Sequence, residues 1–420
     1  MARGKVALLI SAGVIVFALA IVVFWTGAGI YDIPPKARAL PGLMKEAAAL
    51  GFPMVEGDLD PDPIPPENEN AALGLIAASQ ALTIDLDLDQ IAAVEFPNAF
   101  PEKYEEVRVL ISNEKEVLDD LRGAAKLPQF FVDRDYDDAF LVSFDYQQDL
   151  RKAQQALLSR ALINANENQA AEALADIEGA LRIASHVATD NPTVSQLVAG
   201  GMYLRASSTV AQVSSVLHDD QGVLDELLGM LREHWRDMDL RGIASQEFYY
   251  SLAVARNIHR YGGIRANMID NGNTNLEYNL QEPIIRGGLP DGWIVRASMA
   301  TIAESWIEFV RKLEEDDGES KAISYLANRE SSLDEDKVSH KFAIRIGGVS
   351  GTISHSTAIR KSYYLLAVNF LQILSYRNQN GVFPESIESL ATDSSDPFGQ
   401  SEKLRYLNSG EGFKIWSCLL

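Results

Sequence analysis

The longest uninterrupted hydrophobic pattern in the chain lies near its beginning. Residues Val6 to Thr26 contain no Asp, Glu, Lys or Arg, and the short leader before them carries Arg3 and Lys5. At about 1.5 Å per residue, a helix of this length crosses a hydrocarbon layer of about 30 Å. Trp25 stands where an interfacial aromatic belt would lie. The pattern predicts a cytoplasmic leader over residues 1–5 and a transmembrane helix over residues 6–26.

A cleaved secretory signal is the alternative interpretation of the same run. Such signals have an apolar core of about 7–15 residues before small residues at the cleavage site. Thr26, Gly27 and Ala28 would serve as that site, but the apolar core here is longer. Positive charge crowds the leader, so both interpretations place the bulk of the chain outside the cytoplasm. We therefore expect a single-pass protein of the inner (cytoplasmic) membrane.

The next segment, residues 27–68, is rich in proline and acidic residues. Pro34, Pro35 and Pro41 are followed by an alternating acidic and proline-containing run over residues 58–66. Proline removes a backbone donor and clashes with the preceding turn, so this composition predicts an extended tether. One short helix is expected within it, from Gly42 to Leu50.

From residue 69 the pattern becomes helical and stays so for most of the chain. Apolar residues recur at spacings of three and four, and Asn70 has the chemistry of an N-cap for the first helix. This pattern predicts a helical bundle or array over residues 69–335. The predicted helices are Ala71–Leu82, Tyr104–Leu121, Tyr146–Asn164, Ala170–Ala188, Val194–Leu217, Gly222–Met238, Gln246–Tyr261, Ile294–Leu313 and Ser320–Arg329.

A stretch rich in Asn and Gly interrupts the helical pattern between Gly262 and Trp293. Long irregular segments in compact domains are often functional. We expect either a binding surface here or a connection that packs over the bundle.

The pattern changes again over residues 340–420. Lys341 to Ile346 alternates in the manner of a strand, which would pair in a hairpin with Val349–Ser354. Ser356 or Thr357 can cap a helix that runs to about Tyr376, and Asn380-Gly381 is expected to end it. Short strands and turns follow. This pattern predicts a small C-terminal module with one helix packed on an antiparallel sheet.

Charge excludes one class of partner. The net charge of the chain is −22, and the first 32 residues contribute +1 through Arg3, Lys5 and Asp32, which leaves −23 for the remainder. A surface this acidic is repelled by phosphate backbones, so we expect no nucleic acid binding. Hydrophobic residues make up 47% of the chain, enough for a packed core. The single cysteine, Cys418, allows no internal disulfide.

Local motifs provide no candidate metal site. Asp58, Asp60 and Asp62, with Glu69 at the twelfth position, imitate part of an EF-hand loop. The sixth position of that loop requires glycine and is Pro63 here, so an acidic tether is the expected structure. Two similar triplets, Asp85-x-Asp87-x-Asp89 and Asp133-x-Asp135-x-Asp137, lack the closing glutamate. The six histidines show no zinc-binding spacing.

Catalytic motifs are equally incomplete. Gly348-Val349-Ser350-Gly351 would begin a nucleophile elbow, but Thr352 follows where the last glycine belongs. Ser112 and Lys115 fit Ser-x-x-Lys without the motifs that accompany it in enzymes. No catalytic, cofactor-binding or metal-binding residue is therefore assigned, and no cofactor is expected. The sequence leaves enzymatic activity open but favours a role without catalysis.

The C-terminal segment, about residues 356–417, contains a recognisable series of short motifs. They are Asn380-Gly381-Val382-Phe383-Pro384, Leu390, Asp396-Pro397-Phe398-Gly399, Leu404-Arg405-Tyr406 and Gly412–Ser417. In this series the segment resembles the C-terminal part of the major pseudopilins of type II secretion. The resemblance implies a helix packed on a small antiparallel sheet. The prepilin processing motif and the family's calcium-binding acidic residues are absent, so no binding residue is carried over. The layout of the whole chain also resembles uncharacterised membrane-anchored proteins of bacteria.

Together these patterns predict a membrane-anchored, mainly α-helical protein that acts as a binding or structural component of the bacterial cell envelope. Its expected partners are the membrane, through the N-terminal helix, and other envelope proteins. An accessory of a type II secretion or pilus-like machine and a membrane-tethered hydrolase remain as alternatives.

Overall fold

The computed structural model describes residues 33–84, 101–136, 143–257, 291–332, 350–390, 393, 395–397, 403–410 and 412–417. Within these ranges the chain is mainly helical with one small antiparallel sheet, which confirms the predicted secondary-structure class. No helix in the described ranges has the length and apolar character needed to cross a membrane. The predicted transmembrane helix, the Lys341–Ile346 strand, Cys418 and residues 262–290 lie outside the described residues.

The described ranges contain twelve α-helices. Two 3₁₀ turns, Glu56–Asp58 and Ile387–Ser389, accompany them. The helices are α1 (Ile33–Ala49), α2 (Ala71–Ala81), α3 (Pro101–Asn113), α4 (Lys115–Ala125), α5 (Tyr146–Asn166), α6 (Ala170–Thr189), α7 (Thr193–Val216), α8 (Gln221–His234), α9 (Leu240–Asn257), α10 (Asp291–Leu313), α11 (Gly318–Ser332) and α12 (Ser350–Asn380).

Contacts group the chain into two compact units, each built from separate stretches. The first unit comprises residues 1–60, 134–142 and 241–354. The second comprises residues 61–133, 143–240 and 355–420. The consecutive domain bounds expected from the sequence stay predictions.

In the first unit, α1 packs along α10. It begins at Ile33, so the expectation that only a short helix at Gly42–Leu50 interrupts this segment is wrong. Pro34 and Pro35 fall in the first helical turn, where backbone N–H groups have no partner within the helix. Only Pro41 lies in the helix interior. Ile33 is fully buried, and Lys36 donates to Thr301 Oγ1 at 2.9 Å. Packing against α10 therefore outweighs the cost of one interior proline.

In the second unit, α5, α6 and α7 form the centre of the core, and α2, α4 and α8 pack around them. Leu157, Ile177 and Tyr203 are fully buried there. The C-terminal helix α12 contributes Leu371 to the same apolar cluster. Asn70 caps α2 as predicted, since its side chain accepts from the Ala72 N–H at 3.1 Å.

Several predicted helices have different bounds in the structure; the helix expected from Gln246, for example, begins at Leu240. The expected Tyr104–Leu121 helix is two helices, α3 and α4, because Glu114 leaves the helical conformation. Glu114 is buried and accepts from the backbone N–H of Thr83 at 3.1 Å, a contact distant in sequence. The helix expected over Gly222–Met238 ends at His234, where Trp235 turns into an extended conformation.

The start of the C-terminal helix was also predicted wrongly. The helix α12 begins at Ser350, so Ser350–Ser354 are helical and the proposed hairpin with Val349–Ser354 does not form. The helix ends at Asn380, four residues beyond the expected Tyr376, and Gly381 follows with a φ of 75°, a conformation that glycine adopts without steric cost.

Two short strands close the chain as predicted. They are β1 (Arg405–Asn408) and β2 (Phe413–Trp416), antiparallel, with Tyr406 opposite Ile415. Gly410 makes the turn between them with a φ of 83°. The Phe413 ring lies 5.0 Å from that of Phe370 on α12, which fixes the sheet to the helix.

Candidate functional site

The most unusual buried side chain in the second unit is Arg360. It lies on α12, is 2% exposed, and is surrounded by three aromatic residues and one amide. We name this group the Arg360 cluster and define it as Gln196, Tyr203, Trp235, Arg360 and Tyr364. The cluster places one guanidinium group inside a helical core.

Three elements bring these side chains together. Gln196 and Tyr203 are seven residues apart on α7, so they lie on the same face two turns apart. Arg360 and Tyr364 occupy neighbouring turns of one face of α12. Trp235 follows the last residue of α8, where the chain turns away. The early end of α8 therefore places the indole ring in the cluster.

The aromatic rings pack in series. The ring centroids of Tyr203 and Trp235 are 4.4 Å apart, and those of Trp235 and Tyr364 are 4.8 Å apart. The guanidinium carbon of Arg360 lies 4.6 Å from the centre of the Tyr203 ring, a distance typical of a cation–π contact. The Tyr203 hydroxyl donates to the carbonyl of His234 at 2.8 Å. These contacts hold Tyr203 in place beneath the charge.

Gln196 fixes one end of the guanidinium group. Its amide nitrogen donates to the carbonyls of Ala188 and Asp190 at 2.7 and 2.8 Å. Because both amide hydrogens are used, the oxygen Oε1 must face the other way, where it accepts from Arg360 Nη1 at 3.2 Å. The orientation of Gln196 is thus set by the backbone and in turn orients the arginine.

The opposite edge of Arg360 makes no hydrogen bond within the described part of the chain. Its Nε and Nη2 atoms are buried and have no hydrogen-bond acceptor among the described residues, and neither does Trp235 Nε1. Burial lowers the pKa of Arg360, while Tyr203 and the exposed Asp237 act in the opposite direction. An arginine remains protonated in proteins even so. The cluster therefore contains a buried positive charge with two free donors on one edge.

A second buried arginine in the same unit, Arg160, is paired with a buried carboxylate. Arg160 donates from Nε and Nη2 to the two carboxylate oxygens of Asp176, at 2.9 and 2.6 Å. Asp176 is fully buried, and burial raises its pKa while Arg160 and Arg122 oppose that rise. Asn164 donates to the same carboxylate at 3.0 Å. This network is complete within the fold and joins α5 to α6.

A cavity of about 270 Å³ lies elsewhere in the second unit, between the end of α2 and the start of α5. Asp149 and Lys152 are its charged lining residues, and Ser79 and Leu82 line the facing side. The Ser79 hydroxyl donates to the carbonyl of Ile76 at 2.9 Å, so it is engaged within its own helix. Polar atoms make up most of the cavity surface.

The acidic motif considered in the sequence serves a local structural purpose. The Asp58 carboxylate accepts from the backbone N–H groups of Met54 and Val55 at 2.8 and 3.1 Å. These bonds lower the pKa of Asp58. In the described ranges, no three His, Cys, Asp or Glu side chains converge to hold a metal ion. The triplet at Asp85 lies outside the described residues.

The other sequence candidates are not brought together. Ser112 donates to the carbonyl of Arg108 at 2.7 Å on an exposed helix face, and Lys115 begins the next helix. His186 is buried and its Nε2 lies 3.0 Å from the carbonyl oxygen of Ala125. Gly351 is inside α12, while Gly348 lies outside the described residues.

Sequence reasoning missed the Arg360 cluster altogether. Its residues come from three separate segments and share no motif. Arg360 is followed directly by Lys361 and Ser362, so its neighbours in sequence are those of a solvent-exposed arginine and gave no signal.

No family model, no curated protein and no solved structure matches the chain.

Proposed function

We propose that this protein is a ligand- or partner-binding component of the bacterial cell envelope, anchored in the cytoplasmic membrane with most of the chain outside the cytoplasm. The observation that carries the binding role is the Arg360 cluster. A buried arginine with two donors that make no hydrogen bond among the described residues costs stability, and such groups are typical of ligand-binding sites.

The membrane location rests on the N-terminal sequence. The uncharged run from Val6 to Thr26 behind Arg3 and Lys5 supports insertion with the leader inside the cytoplasm. The acidic remainder of the chain favours a soluble region beyond the membrane that is repelled from anionic lipid surfaces.

The location is tested with an alkaline phosphatase domain fused after Leu420, because this enzyme is active only outside the cytoplasm. We expect activity in the membrane fraction that resists alkaline carbonate extraction. The matched control lacks residues 6–26 and should give an inactive, extractable fusion. An inactive fusion of the full chain would contradict the proposed orientation, and carbonate-extractable activity would contradict the anchor.

An accessory role in a secretion or pilus-like machine is the second candidate, and it rests on the resemblance of residues 356–417. What supports it is the order of helix and antiparallel strands, together with two exposed apolar side chains, Val382 and Leu407, in this module. Crosslinking of the full chain in membranes should capture partners that the V382E and L407E variants lose. A V109E variant, altered at an exposed valine on α3, is the control.

Capture that all three variants retain would contradict a docking role for the C-terminal module. It would leave the proposed location and the binding role of the helical unit untouched.

A further inference from the structure

We propose that Arg360 binds the carboxylate group of a small organic acid through its Nε–Nη2 edge. The proposal deepens the binding function given above, on which it rests, by naming the class of ligand. Its basis is a juxtaposition of five side chains that the fold holds in place but does not complete.

The geometry of the free edge matches a carboxylate. Nε and Nη2 of an arginine point in the same direction and donate two parallel hydrogen bonds, which suit the two oxygens of a carboxylate. The chain itself uses this arrangement where Arg160 meets Asp176. Arg360 is more deeply buried than Arg160, with exposed fractions of 2% and 9%, yet the same two atoms lack an acceptor. A carboxylate supplied from outside the fold would complete the pair.

The charge of the cluster favours a carboxylate over a phosphate. Arg360 is the one cationic member of the cluster, and Tyr203 and Tyr364 stay neutral because burial raises the pKa of both phenols. A carboxylate carries a single negative charge and would neutralise the guanidinium. A phosphate monoester carries about −1.5 to −2 at neutral pH and would leave uncompensated negative charge in a buried site.

The neighbours indicate the rest of the ligand. Tyr203 and Trp235 present mostly carbon surface around the charge, and Trp235 Nε1 is a further buried donor without an acceptor. Such a lining suits an apolar or aromatic body attached to the carboxylate. Tyr364 is the half-buried member of the cluster, so we expect the ligand to enter on its side.

The test is isothermal titration calorimetry on the full chain in detergent micelles, with phenylacetate, acetate and inorganic phosphate as probes. We expect phenylacetate to bind, acetate to bind more weakly, and phosphate to bind least. The R360M variant should weaken phenylacetate binding by about tenfold or more, since a charge-assisted bidentate contact is lost. The R108M variant, altered at an arginine on α3 whose side chain is 42% exposed, should bind like the original chain.

A second variant separates the contact from the charge. R360K keeps a positive charge but cannot make two parallel hydrogen bonds, so it should also lose about tenfold in phenylacetate affinity. Circular dichroism of each variant verifies that the helical fold persists, and R360K provides the test if R360M does not fold.

Three results would overturn the proposal. The first is that neither phenylacetate nor acetate binds at concentrations well above about 1 mM. The second is that a folded Arg360 variant binds phenylacetate with unchanged affinity. The third is that phosphate binds at Arg360 as tightly as phenylacetate does. The first result would mean that ordered water satisfies the donors. None of the three would alter the outcome of the fusion and crosslinking experiments, so the two levels of the functional proposal fail separately.

Discussion

The two buried arginines of the second unit allow a matched comparison of stability. Arg160 is paired with Asp176 in the fold, whereas the Nε–Nη2 edge of Arg360 is unpaired. Replacing either arginine with methionine removes the charge and keeps an unbranched side chain that can fill much of the space. We expect R160M to destabilise the protein strongly and R360M to leave its free energy of unfolding nearly unchanged.

The cost of R160M follows from what remains behind. Asp176 is fully buried and would lose hydrogen bonds of 2.9 and 2.6 Å, while Asn164 and Arg122 would continue to stabilise its carboxylate. Removing one partner of a buried ion pair typically costs about 3–5 kcal/mol. Since Arg122 lies 3.5 Å from Asp176 and keeps part of the attraction, the lower end of that range applies.

The balance for R360M contains opposing contributions. The variant loses the contact with the Tyr203 ring, worth about 0.5–2 kcal/mol, and leaves the Gln196 oxygen without a donor at about 1–3 kcal/mol. It also removes the penalty for burying an unpaired charge, which is several kcal/mol. These contributions nearly cancel, so the net change should stay within about 1.5 kcal/mol of zero.

Thermal and urea unfolding followed by circular dichroism would measure both variants. A loss of about 3 kcal/mol in a unit of this size lowers Tm by about 6–12 °C, while R360M should shift it by a few degrees at most. An R360M variant as unstable as R160M would refute the reasoning, because Arg360 would then have a partner that stabilises the folded chain. A neutral R160M would refute the stabilising role of the Arg160–Asp176 pair.

Three further predictions concern local structure. Asn70→Ala should lower the free energy of unfolding by about 1–2 kcal/mol in urea titrations, because the side chain caps α2 and also forms hydrogen bonds with the backbone of Phe131. Asn70→Asp keeps the capping oxygen, so it should lower the free energy of unfolding by a smaller amount. Gly381→Ala should cost about 1 kcal/mol by the same measurement because φ is 75°, whereas the control Gly200→Ala, with open space on α7, should be neutral or stabilising. Burial lowers the pKa of His186 in the folded chain, so as pH falls the unfolded chain binds a proton at this residue before the folded chain does. The free energy of unfolding should therefore fall as pH drops below about 6.5, and it should fall less steeply in the His186→Gln variant.

The sequence was informative wherever contacts are local. The spacing of apolar residues predicted the first residue of α6 correctly and its last residue to within one position. The capping roles of Asn70 and Gly381 could be predicted from residue type alone. These features depend on hydrogen bonds and side-chain neighbours within about four positions along the chain. The secondary-structure class follows from them.

The sequence misled where position within an element or a distant partner decided the outcome. The prolines before Pro41 argued against a helix, yet they occupy the first turn of α1, where proline is tolerated. The break between α3 and α4 depends on Glu114, whose acceptor role toward Thr83 spans 31 residues. Neither fact is visible in a window of adjacent residues.

By itself, the sequence determined the helical class, the acidic character of the chain and the apolar segment at its start, since each is a property of composition or local spacing. Only the tertiary structure decided which arginine is paired. Arg160 and Arg360 have similar helical surroundings in sequence, but the fold sets Asp176 against one and Tyr203 against the other. Whether a buried charge meets a carboxylate depends on which helices pack together, because the interacting atoms come from segments far apart along the chain.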